Sequence, residues 1–98
     1  MAAYMIVYAT IKDRDAFLSG YAPAAAKLVA EHGGKYLIRG NGAEVLEGTL
    51  QSGMSVVISE WPDKATIHKF WDSPEYKEAA KLRDGVCDCE VVIIDSPV

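Results

Sequence analysis

The chain has little of what marks several large classes of protein. Ten lysines and arginines stand against fourteen acids, a formal net charge of −4. No basic stripe exists to neutralise phosphates, so a nucleic-acid partner is not expected. No apolar run reaches the ~18–20 residues that cross a bilayer, and the start lacks a basic segment followed by an apolar one. A membrane partner is therefore not expected either, and a cytoplasmic location is. Two cysteines, Cys87 and Cys89, are too few and too close for a disulfide framework. They also fall short of a zinc set, with no histidine near them in sequence. If they open a strand, alternation puts both thiols on one face, as buried free thiols or as a redox pair. His32 and His68 lack metal-binding spacing, and the glycines spell neither GxGxxG nor a phosphate-binding loop. Neither a metal nor a cofactor is expected.

What remains is an ordinary globular composition, half apolar and about a quarter charged, over 98 residues. That length suits one domain, residues 1–98, with a single core. Ala3–Ile11 is apolar on both alternate rows, which suits a strand covered on both faces. The period then changes. Asp13 can cap a helix with Phe17, Tyr21, Leu28 and His32 near one stripe, and Gly33-Gly34 can end it. Pro23 should bend or split that helix and bias Ala22 away from helical angles. Lys35–Gly40 reads as a short strand, or as the bent forepart of a strand over residues 43–50 that follows the turn at Gly40-Asn41-Gly42. A second turn leads to a strand at Ser55–Trp61. Asp63 caps a second helical segment, Ser73-Pro74 restarts it, Gly85 closes it, and residues 89–95 form the last strand.

The order β-α-β-β-β-α-β is an α+β, ferredoxin-like split βαβ pattern: an antiparallel sheet with two helical segments on one face. Two helices cover only one face, yet the strands are apolar on both. A second copy is the expected cover, giving a homodimer joined through sheet faces as a dimeric α+β barrel.

The segments GGKYLIRG (residues 33–40), EVLEG (44–48), VVISEWPDKATIHKFWDSPEYKEAAKLR (56–83) and the closing VVIID resemble the domain-of-unknown-function family numbered 1330, within the dimeric α+β barrel superfamily. The resemblance implies ferredoxin-like homodimers whose sheets enclose a barrel. It assigns no reaction, although the wider superfamily includes cofactor-independent monooxygenases, lactone isomerases and haem-binding enzymes. The family typically carries an arginine just before the third main strand, where this chain has Ser55.

Arg39 is the polar residue of most interest. Strict alternation puts it with Lys35 and Leu37, opposite Tyr36 and Ile38. There it can clamp a carboxylate or enolate, or pair with Glu47 or Glu60. Glu60, late in an apolar strand, is a candidate general base or the partner of Arg39 or Arg83. His32 is a candidate proton shuttle or a helix-end residue stabilised by the dipole. Tyr4 and Tyr8 share a face of the first strand and can line a ligand cavity or pack a dimer. Two readings stay open. One is a small cofactor-independent enzyme whose cavity, lined by Tyr4, Tyr8, Arg39 and Glu60, takes an anionic or carbonyl-bearing molecule. The other is a homodimer that binds or scaffolds without turnover, its charged residues forming ion pairs between subunits.

Overall fold

Valine, isoleucine and aromatic side chains fill both rows of Ala3–Ile11. In the computed structural model this segment is β1, an inner strand paired on both sides. The structure describes residues 2–96; residues 1, 97 and 98, assigned by the sequence to the same domain, lie outside the described residues. The other strands are β2 (Lys35–Gly40), β3 (Ser55–Trp61) and β4 (Cys87–Asp95). They form one sheet in the order β2-β3-β1-β4, with every neighbouring pair antiparallel. This is the ferredoxin-like α+β arrangement expected from the sequence.

The helices start where short polar side chains can accept their free amides. Asp13 takes the Ala16 amide at 3.1 Å ahead of α1 (Arg14–Ala16), and Asp63 takes that of Thr66 at 2.7 Å ahead of α3 (Lys64–Trp71). Ser73 caps α4 (Pro74–Ala80) through the Tyr76 amide at 3.2 Å. Between α1 and α2 (Ala22–Glu31) the chain widens into a π-turn, Phe17–Tyr21. The helix is thus split near Pro23, but Ala22 keeps helical angles, φ −59° and ψ −49°, contrary to expectation. Its amide reaches back to the Phe17 carbonyl, and that wider turn makes room for the proline ring without bending the chain out of the helix. Gly33, at φ 88°, then turns the chain toward β2. Among the described residues no helix is long and apolar enough to cross a membrane.

Residues 43–50, expected as a strand, form none. Gly42 and Gly48 hold positive φ, 68° and 109°. Backbone pairing across the connection is limited to its base, through the Ala43 amide on the Met54 carbonyl and the Gly53 amide on the Ala43 carbonyl, and the Val45 amide reaches the Ser52 hydroxyl instead of a strand. Leu46, 91% exposed, has nothing to pack against. Alternating apolar residues without a neighbouring strand to bond do not make a strand, so the order is β-α-β-β-α-β.

The core lies between sheet and helices, where Ala3, Met5, Val29, Trp61, Ile67, Phe70 and Tyr76 cluster. Aromatic rings run through it: Trp61 to Phe70 at 5.0 Å between centroids and Phe70 to Tyr76 at 4.6 Å. Gly34 sits against the Trp61 ring, where a Cβ would come within 2.7 Å of it. The opposite sheet face carries Ile38, Ile58, Ile6 and Val92 in one row across all four strands.

Candidate functional site

Toward the end of the sheet where β1 finishes, small residues meet small residues. Ala9 and Ser55 form part of the floor, Ala22 and Ala25 part of the roof, and the space between them is a cavity of about 240 Å³. The walls are otherwise largely apolar and aromatic, including Val7, Val57, Val91, Phe17 and Trp71. Such a void suits a small molecule with an apolar body.

Its polar lining is one-sided. Arg14, Arg39 and Arg83 are all the arginines of the chain, and all three line this cavity, while no aspartate or glutamate does. Among the described residues the ion pairs are Lys12–Asp88, Lys64–Asp95 and Lys81–Glu78, so none involves an arginine. In a chain of net charge −4 the acids have been kept away from this one place.

Arg83 is the half-buried member. Its Cζ lies 5.6 Å from the Tyr21 ring and 5.9 Å from the Trp71 ring. Burial opposes its charge, but Tyr76, Tyr21 and Cys89 more than offset this and hold the guanidinium above its usual value. Next to it the hydroxyls of Tyr21 and Tyr76 meet at 2.7 Å. Burial raises both phenols above their ordinary range, and for Tyr21 the neighbouring Tyr76 adds to it. Both are therefore neutral donors at physiological pH. One hydroxyl donates to the other, and the acceptor's own proton is left for a third group.

Arg39 stands at the other side of the cavity, exposed at the β2 edge, with its Cζ 4.7 Å from the Tyr36 ring. Burial raises the Tyr36 phenol, partly countered by Arg39. Nearby, the Ser55 hydroxyl donates to the Asn41 side-chain oxygen at 2.8 Å. Ser55 thus occupies the position where the resemblance implies an arginine, and in this chain it is a buried cavity residue.

The structure does not bring together the four residues expected to share a cavity. Tyr36 pairs with Ser59 and Ile38 with Ile58, leaving Leu37 as an extra residue in a β-bulge. The bulge resets the alternation, so Arg39 shares the helix-covered face with Tyr36 instead of the face of Lys35. Tyr4, Tyr8 and Glu60 remain on the opposite, open face, since each alternates with residues of the core or the cavity. There Tyr4 donates to Glu60 at 3.0 Å, and Glu60 meets neither Arg39 nor Arg83. That bond, with burial and the carboxylate's charge behind it, raises the Tyr4 phenol. His32 is outside the cavity: its Nδ1 is 2.8 Å from the Leu28 carbonyl and its ring lies edge-on to Phe70. Arg14, Arg83, Tyr21 and Tyr76 were not singled out as a site by the sequence. The available signal was the run of small residues Ala22–Ala26 opposite Ala9, which leaves a gap once sheet and helix pack.

Over residues 2–97 the sequence matches the family described as Domain of unknown function (DUF1330). The chain belongs to the DUF1330 family. No curated protein matches it significantly. Among solved structures, this DUF1330 chain is similar to a protein of unknown function from Rhodopseudomonas palustris, at TM-score 0.79 and 18% identity over 99% of this chain and 83% of that one. It is also similar to SnoaB, a cofactor-independent oxygenase from Streptomyces nogalater, at TM-score 0.71 and 14% identity over 99% and 94%. A dimeric ferredoxin-like protein of unknown function from Jannaschia sp. CCS1 matches at TM-score 0.69 and 13% identity over 98% and 100%. These likenesses establish the ferredoxin-like fold of this DUF1330 chain, and several of its structural neighbours are dimeric.

Proposed function

We propose that this DUF1330 protein is a cofactor-independent enzyme acting on a small, mostly apolar molecule that carries a carboxylate or enolate, bound in the cavity beneath the helices. The observation that carries the reading is the convergence of three arginines, without a single carboxylate, on a largely apolar and aromatic void. In such a place a guanidinium holds an oxyanion through charge-assisted hydrogen bonds that water does not weaken. Arg83 would face the anion with the spare hydroxyl proton of the Tyr21–Tyr76 pair, and Arg39 would act from the mouth. Stabilising an enolate this way makes the carbon acid itself easier to ionise, which fits chemistry starting from a substrate anion. The cofactor-independent oxygenase that shares the fold supports this reaction class. Tyr4, Tyr8 and Glu60 belong in this reading to the open face, where a second one-domain protomer would pack; dimeric proteins among the structural neighbours support a pair.

A non-catalytic binding homodimer is the second reading. It is favoured by the lining itself, which contains no histidine, aspartate or glutamate to move a proton.

The test is a thermal-shift screen of small aromatic carboxylates and enolisable diketones against neutral isosteres of the same shape. A ligand of the native state present at ~100 times its Kd adds roughly 2.7 kcal/mol of stability. Arg83→Ala should weaken binding of an anionic hit about tenfold or more, and Arg39→Ala by less. Equal binding of anions and isosteres, or an unchanged affinity in both variants, would sink the assignment. Consumption of a bound hit by the wild type separates the enzyme from the binder.

A further inference from the structure

Cys87 and Cys89 open β4 with their sulfurs 3.6 Å apart, and alternation directs both to the helix-covered side. Their surroundings differ. Cys87 is 6% exposed. Burial, then the hydrogen bond and charge of Cys89, push its thiol up to about 12. Cys89 is half-buried, lines the arginine cavity, and interacts with Arg83. The pair is therefore graded, with a protonated inner thiol behind an outer sulfur that faces a void beside a cation. A nearby guanidinium disfavours a soft metal cation at the same sulfur.

We propose that Cys87 and Cys89 form a thiol-modification site, in which Cys89 captures a small-molecule disulfide arriving through the cavity and Cys87 resolves it to an intrastrand disulfide. In the first step the Cys89 thiolate attacks one sulfur of the disulfide. A bond forms between Cys89 and that sulfur, the original S–S bond breaks, and a thiolate leaves. Capping Cys89 removes its hydrogen bond and charge, the lesser causes of the raised Cys87 thiol after burial. Cys87 then gives its proton to the departed thiolate and attacks the Cys89 sulfur; the second half leaves as a thiolate and takes up from water the proton that Cys89 had released. Two protein thiols are oxidised by two electrons, and one small disulfide is reduced to two thiols. Residues two apart on a strand are ~6.6–6.8 Å apart at Cα, the upper end of what a disulfide spans, and their parallel Cβ atoms lie beyond the ~3.5–4.5 Å that a bridge needs, so closure must bend the start of β4. The bridge is strained and hence easily reduced again, so the modification is reversible. Bridging also draws the Cys89 sulfur from Arg83 toward Cys87.

The site is tested by equilibrating the whole chain in mixtures of 2-mercaptoethanol and its disulfide, then counting thiols and measuring intact mass. Both thiols should disappear together with the loss of two hydrogens, and dithiothreitol should restore them. Cys87→Ser should trap a mercaptoethanol adduct on Cys89, whereas Cys89→Ser should stay unmodified. Brief alkylation of the reduced wild type, located by tandem mass spectrometry, should label Cys89 about tenfold or more faster than Cys87. That measurement needs no variant to fold. Survival of both thiols in the disulfide alone, or equal labelling of the two cysteines, overturns the proposal. Neither outcome depends on what the cavity binds.

Discussion

The two faces of the sheet are built from the same four strands and end up with opposite tasks. The helix-covered face packs Trp61 and Phe70 to near-complete burial and leaves a charged void at one end. The open face carries a continuous apolar row, with Val92 and Ile94 each 47% exposed, and one polar bond from Tyr4 to Glu60. One face is finished within the protomer. The other is an apolar surface of a kind that in solution is usually covered. Polar residues inside apolar strands therefore do not share one meaning: Arg39 belongs to the void, and Glu60 to the surface.

The contrast can be broken most forcefully from the finished side. Trp61→Ala removes a ring that is 1% exposed and touches Phe70, and it should cost roughly 3–5 kcal/mol in chemical denaturation. A loss below 1 kcal/mol would mean that this face is not the core. On the open side, Ile58→Lys plants a charge in the middle of the apolar row. The fold should persist by circular dichroism while sedimentation shows monomers, for a loss in association of roughly 2 kcal/mol or more. If the variant sediments like the wild type, the open face is not the interface. Gly34→Ala forces a methyl against the Trp61 ring and should destabilise by about 1–3 kcal/mol. Because Gly34 acts only on the covered side, the oligomeric state should not move, and a change there would blur the distinction.

The smallest effect concerns neither face but the helix edge. The Asp63 carboxyl is held below the ordinary carboxylate range by the Thr66 hydroxyl and then by the Thr66 amide. A lowered folded-state pKa stabilises above the unfolded value and is lost as pH falls through the folded one. Wild type should thus exceed Asp63→Ala slightly in melting temperature near neutral pH, and the gap should close in acid below that value. A gap that widened in acid would contradict the cap.

Features set by a few neighbouring residues were legible in the sequence. Asp13, Asp63 and Ser73 cap what they should, because a cap needs only its own next turn. The double apolar rows of β1 marked an inner strand with two faces to cover. What depended on pairing across the sheet was not legible. Residues 43–50 alternate like a strand, but beyond the bonds at Ala43 no neighbouring strand pairs with them. The face of Arg39 was misassigned because the extra residue at Leu37 is visible only against β3. The gathering of Arg14, Arg39 and Arg83 joins a helix start, an edge strand and a short turn after α4, which no spacing along the chain encodes. Helix placement was right, and the one helical surprise, a π-turn at Phe17–Tyr21, arose where a proline made two ways of splitting equally readable.

The bulge at Leu37 has a consequence for how such a chain can change over generations. Deleting the Leu37 codon would remove the bulge yet keep Ile38 opposite Ile58 and Arg39 opposite Val57, each on its present face. An insertion or deletion in an edge strand is normally read as damage. Here a deletion would leave the faces as they are, whereas straightening the strand at full length would exchange Ile38 and Arg39 between the open row and the cavity. Relatives one residue shorter at this position are thus expected to keep their arginine on the cavity side.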